Sequence, residues 1–264
     1  MQETVKQREG HEEIEASKAP LIDHLIELRQ RLIYALIGVG IGFVICFAFA
    51  TNIYNLLVWP YQVARGEGHK IEMIYTAPHE FFFTKLKLAL FGAIFLAFPL
   101  IAYQIYKFVA PGLYRNERDA FRPYLLWTFV LFITGALVVY FIVMPLAMKF
   151  FLSMEQTGGQ VEIHLQARVS EYLSLIMTLI LGFGIMFQLP TVVFFLARMG
   201  VVTAGFLLKY FKYAVFIITV IAAVVSPGTD AMSTIVFAVP MLALYIVSIA
   251  IAFIFQKRKK PAEV

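Results

Sequence analysis

Two short stretches hold the side chains with most to offer chemically. The first, PLIDHLIELRQRL from Pro20 to Leu32, sets Glu27 and Arg31 four residues apart, with Asp23 nearer its start. Acids ahead of a base along a helix suit both the macrodipole and an i, i+4 ion pair. The second, FVAPGLYRNERDAFRP from Phe108 to Pro123, places Glu117 among Arg115, Arg118 and Arg122. A carboxylate held at a water boundary can take a cationic group; it does not by itself break bonds. Each stretch also has a plainer reading, the first as a helix guiding a membrane span and the second as a self-neutralised surface cluster. The sequence offers no paired aspartates, no GxS nucleophile with a histidine and no HExxH metal motif. Cys46 is the only cysteine and sits in an apolar run, which excludes an intrachain disulfide and a cysteine metal framework. No enzymatic activity, metal or cofactor is expected.

The elements that position these residues belong in a membrane. Of 264 residues 61% are hydrophobic and only 15% charged, where soluble chains average roughly a quarter charged. Nucleic-acid binding is excluded, because the basic residues lie in short loops and not on one face. Leu21, Leu25, Leu28 and Leu32 recur at helical spacing just ahead of an apolar run, which predicts an amphipathic helix lying at the membrane surface with Glu27 at the water boundary. Six spans follow, at about 32–50, 78–106, 124–151, 172–197, 213–225 and 232–255. Gly38 and Gly42 in the first form a small-xxx-small pair, the mark of close helix packing. Pro145 should kink the third span or loosen its last turns, and Pro190 should perturb the fourth. The fifth, about thirteen apolar residues, is some 20 Å of helix and falls short of a hydrocarbon core about 30 Å thick.

The polar segment 51–78 has Trp59 and Tyr61 at interfacial depth. Residues 1–19 read as a solvated, flexible tail without the basic-then-apolar order of a cleavable signal peptide. Residues 20–256 read as one membrane domain and 257–264 as a basic tail, with no internal repeat and no separate soluble domain. With both termini cytoplasmic, 16 of the 22 Lys and Arg residues fall in inside segments and four outside, which is the arrangement the positive-inside rule requires. Lys85 and Lys87 can snorkel from the second span. The one strongly polar side chain read deep in a span is Gln188, in GFGIMFQLP. It suits a neutral hydrogen-bonding contact between helices.

HLIELRQRL closely resembles the N-terminal signature of the TatC family, the receptor subunit of twin-arginine protein translocation. The loop F-x-x-P-x-L-Y-x-x-E, here Phe108, Pro111, Leu113, Tyr114 and Glu117, resembles that family's central cytoplasmic motif. YFIVMPLAMKFF around Tyr140 and Pro145, the GFG and proline of the fourth span, the SP…D turn with Asp230, and AVPMLALY in the last span are similar too.

The resemblance covers about residues 20–256 and implies an all-α membrane protein. Its shape would be a cup-like bundle of six transmembrane helices with short fifth and sixth spans, in a bacterial inner membrane. It implies Sec-independent export of folded proteins driven by the proton-motive force. Glu27 and Glu117 would take the paired arginines of a signal peptide, Phe108 would line the same patch, and Arg29 and Arg31 would shape it. Pro60, Tyr140 and Asp230 would be structural or partner-contacting. Implied partners are twin-arginine signal peptides, TatA and TatB subunits, further copies of the chain and membrane lipid. Three positions depart from the family pattern: Gln188 where glutamate is common, Asp119 where a base is commoner, and Ile246 where an acid often follows the last tyrosine. A small-molecule or ion secondary transporter is the alternative, although such proteins show repeat-related halves and a polar midplane site.

Overall fold

The computed structural model describes residues 2–66, 72–109, 121–156, 164–198, 200–225 and 231–255, and every regular element among them is helical. In chain order these are α1 (Gln2–Ala48), α2 (Ala50–Arg65), α3 (Glu80–Val109), α4 (Phe121–Val138), a π-helical turn (Val139–Val143), α5 (Met144–Leu152), α6 (Val169–Met186), α7 (Leu189–Arg198), α8 (Ala204–Lys209), α9 (Phe211–Val225) and α10 (Ala231–Phe255). Among the described residues five helical stretches are long and apolar enough to cross a membrane: His24–Ala48, Glu80–Phe108, Leu125–Leu152, Val169–Ala197 and Thr234–Ile254, with Phe211–Val224 a shorter sixth.

The proline expectations hold. Pro145 cannot donate to the carbonyl four residues back, and the helix answers with the π turn just before it. Pro190 divides the fourth span into α6 and α7, with the break at Phe187 and Gln188. At 15 residues α9 is about 22 Å long and stays short of a bilayer core. The sixth span is longer than the resemblance implies: α10 has 25 residues.

Two further differences stand out. The stretch 20–32 is not a separate helix but runs on without a break into the first span. Nothing between Leu32 and Ile33 stops a helix, so the chain has no means of turning there. Its leucine stripe is open, with Leu25 63% and Leu32 56% exposed, while Glu27 and Arg31 lie on the half-covered side. The segment after the first span is also more ordered than a polar loop: α2 occupies Ala50–Arg65 with Pro60 inside it.

Packing runs α1 on α3, α3 on α4 and α6, α4 on α6, and then α7 on α10 and α10 on α9, with α2 against α5. Glycines allow close approach at two crossings, α1 on α3 and α4 on α6. A Cβ on Gly42 would lie 3.2 Å from the backbone of Ala93, and one on Gly38 would run into Leu100. A Cβ on Gly135 would come within 2.8 Å of the Phe183 carbonyl, and one on Gly184 would strike the Phe132 ring. The central core behind these contacts includes the fully buried Tyr61, Phe132, Phe183 and Phe237.

Candidate functional site

The face where α1 meets the end of α3 collects the first set of expected residues. His24, Glu27, Arg31, Gly38 and Gly42 recur at i, i+3, i+7, i+14 and i+18, which is one stripe of a helix. The glycines of that stripe touch α3, so Glu27 and Arg31 are turned toward α3 as well. At the top of the seam His24 stacks flat on Phe108, with ring centroids 4.2 Å apart and planes 14° from parallel. One turn along, Arg31 Nη2 donates to Glu27 Oε1 at 2.9 Å, the two side chains remaining 26% and 31% exposed. The expected ion pair is therefore present and reachable. Arg29 points to the exposed side of α1. Lys107 lies over the Tyr103 ring at 4.6 Å. Glu117, together with Arg115, Arg118 and Asp119, lies outside the described residues.

Sequence reasoning overlooked Gln104. It sits one turn from Phe108 on α3, only 8% exposed, and its Oε1 has no hydrogen-bond partner among the described residues. A glutamine in IAYQIYKF reads as lying near a helix end, where water could serve it. Its burial against neighbouring helices leaves no trace in local sequence.

Gln188 fills a structural gap left by Pro190. Where the helix breaks, the Gln188 amide bonds Ile185 at 2.9 Å, so the Gly184 carbonyl loses its regular partner. The Gln188 side chain supplies the replacement, donating from Nε2 to Gly184 O at 3.2 Å and to Thr128 O of α4 at 3.1 Å. Its Oε1 is buried with no partner among the described residues.

The opposite face is closed by polar ties. Glu80, at the start of α3, accepts from the Thr76 amide at 2.9 Å, from the Arg168 guanidinium at 3.1 Å, and from the hydroxyls of Thr76 and Ser170. Arg168 also pairs with Glu171 at 3.1 Å. The hydrogen bond and charge of Glu80 push the Arg168 guanidinium above its already high value. The backbones join beside this clasp, Ile74 donating to Ala167 O and Val169 to Ile74 O. No local signal announces a contact between residues 88 apart in sequence.

Pro60 and Tyr140 prove to be one device. Pro60 has no N–H, so the carbonyl four residues earlier, Leu56 O, lacks its helical donor. The Tyr140 hydroxyl donates to that carbonyl at 2.8 Å, and its ring stacks on Trp59 at 5.3 Å. Tyr172 serves the next carbonyl, Leu57 O, also at 2.8 Å. Asp230, between α9 and α10, lies outside the described residues.

The family model described as Sec-independent protein translocase protein (TatC) matches residues 23–240. Among curated proteins the chain is 38% identical to the Sec-independent protein translocase protein TatC of Koribacter versatilis, over 90% of this chain and 87% of that one. It is 38% identical to that of Aquifex aeolicus, over 91% of this chain and 98% of that one. Among solved structures it is similar to the crystal structure of a twin arginine translocase receptor TatC, with a TM-score of 0.76 and 37% identity over 87% of this chain and 97% of that one.

Proposed function

This chain belongs to the TatC family of Sec-independent protein translocase proteins, and from that premise we propose that it receives twin-arginine signal peptides on the face where α1 meets the end of α3. The observation that carries the reading is the α1–α3 seam, which sets a partly exposed Glu27 one turn from His24, whose ring stacks on Phe108. A carboxylate beside an apolar ring fits a peptide that presents arginine next to apolar side chains. Guanidinium is planar, permanently charged and suited to a two-point grip on a carboxylate. Glu117 is the second acceptor in this reading, because two adjacent arginines call for two acids. Phe108 offers the apolar contact, and Arg29 and Arg31 flank Glu27.

The remaining roles follow from the same footing. The receptor face is cytoplasmic, both termini lie inside a bacterial inner membrane, and α2 with the Glu80 clasp lies outside. The 16-to-4 distribution of basic residues supports that orientation. A cysteine placed at Tyr75 that labels only from the cytoplasmic side would overturn it. Residues 20–256 are the membrane unit between the tails 1–19 and 257–264. Gln188, which is partly exposed, offers a contact to a partner or signal helix within the membrane, and Asp230 a partner contact outside. TatA and TatB subunits, further copies of the chain and lipid cover the exposed apolar surface of α1 and α9, where Val44 is 70% and Phe216 68% exposed.

The test is a titration of purified protein with a peptide bearing an arginine pair and with its lysine-pair counterpart. Glu27→Gln and Glu117→Gln should each weaken the arginine peptide and shrink its advantage over lysine, since size is kept while charge and fork geometry are lost. Equal discrimination by wild type and both variants would refute the assignment.

A further inference from the structure

The Glu27 carboxylate is already occupied by the chain's own guanidinium. Arg31 reaches it through one N–H, Nη2 to Oε1 at 2.9 Å, and no second bond closes the pair. Glu27 Oε2 has no partner among the described residues. Each side chain keeps between a quarter and a third of its surface open, so the pair can part without burying an uncompensated charge. The surrounding frame is less free to move. His24 and Phe108 stack across the seam on one side, and the Gly42–Ala93 contact holds α1 against α3 on the other. A cation arriving at Glu27 therefore meets packed helices and, among the described residues, one movable obstacle.

We propose that Arg31 is a resident competitor for Glu27, an internal stand-in for the arginine of the peptide that must be displaced before the carboxylate can be used. This rests on the reading of Glu27 as a signal-peptide acceptor and adds to it what holds the empty site shut. The one-point grip of Arg31 is the weaker form of a carboxylate–guanidinium contact. A peptide guanidinium free to approach in plane can make the stronger two-point form. Exchange is downhill for arginine but only slightly so, which suits a receptor that must also let its peptide go. Competition of this kind taxes every cation at Glu27 by the same factor. It sets the threshold for binding, while the fork geometry sets the preference for arginine.

The proposal predicts the opposite of a simple site-shaping role for Arg31. In titrations of the full-length protein in detergent micelles, Arg31→Gln should tighten the arginine-pair peptide roughly two- to three-fold, the factor by which an ion pair of this kind shifts its own equilibrium. The lysine-pair peptide should gain the same factor. Arg31→Lys, which keeps the charge, should fall between wild type and the glutamine variant. Arg29→Gln removes an equal charge without touching Glu27 and should give a smaller gain. In a Glu27→Gln background the effect of Arg31→Gln should shrink to that of Arg29→Gln.

Weaker or unchanged binding in Arg31→Gln, with Glu27→Gln impaired, would overturn the competitor role and leave the acceptor reading standing. An equal gain in Arg29→Gln would overturn it as well, reducing the effect to general charge repulsion. Unimpaired arginine binding in Glu27→Gln would overturn the acceptor reading itself.

Discussion

Replacing Tyr140 by phenylalanine isolates one hydroxyl. The ring stays, and with it the stack on Trp59 at 5.3 Å and 7°. What is lost is the donor to Leu56 O at 2.8 Å. That carbonyl has no helical donor because Pro60 stands where the N–H should be. A typical internal hydrogen bond is worth about 1 kcal/mol net, and an orphaned acceptor away from water costs about 1–3 kcal/mol. Tyr140→Phe should thus destabilise by about 1–1.5 kcal/mol, toward the lower end because Leu56 lies on an exposed face. The decisive measurement is a double-mutant cycle with Pro60→Ala. Alanine restores an N–H within reach of Leu56 O, so Tyr140→Phe should cost only a few tenths of a kcal/mol there, giving a coupling of about 1 kcal/mol. Unfolding in mixed micelles, followed by tryptophan fluorescence, reads all four proteins. An equal cost of Tyr140→Phe in both backgrounds would refute the idea that the tyrosine stands in for the missing proline donor.

Gly135→Ala should destabilise by about 1–3 kcal/mol, because its new Cβ meets the rigid Phe183 carbonyl at 2.8 Å; an unchanged unfolding midpoint would show that α4 and α6 can separate freely. Gln188→Leu removes donors to Gly184 O and Thr128 O, and since polar contacts in membranes average about 0.6 kcal/mol, stability should fall by about 1 kcal/mol. Co-purification with single-span partners should drop partly in the same variant, and full assembly would confine Gln188 to a role within its own chain. Glu80→Ala should speed hydrogen exchange at the Ile74 and Val169 amides, which flank the clasp; unchanged exchange there would show that the backbone bridge stands without the carboxylate.

What local sequence encodes was legible, and what depends on distant partners was not. Prolines announced disturbances of the third span at Pro145 and of the fourth at Pro190, because a missing N–H acts on its own helix, though not that the first would take the form of a π turn. Gly38 and Gly42 announced a close crossing, though not that Ala93 and Leu100 would fill it. Glu27 and Arg31 were readable as a pair because four residues on a helix suffice to bring them together. The stripe they share with Gly42 turned that pair toward α3 and left the leucines outside. The expectation of a separate surface helix failed because nothing near Leu32 ends a helix: periodicity reports that a face is apolar, not where the helix stops. Gln104 and the Glu80–Arg168 clasp escaped entirely, since nothing near either residue signals its surroundings. For Pro60 and Tyr140 family likeness named the residues, but their shared carbonyl emerges only when residues 84 apart are brought together.

The clasp on Glu80 also has a timetable. Its second half, Arg168, is made 88 residues later. At roughly 5–20 residues per second of synthesis, Glu80 waits about 4–18 s for its partner. During that interval the third span and the segment after it must be made. Meanwhile Thr76 alone, from within the same loop, can hold the carboxylate. The second span is thus made with its Glu80 end unfastened, and the clasp closes only when the start of the fourth span arrives. A variant that slows or misdirects the third span would therefore strike first at a contact to which that span contributes no residue.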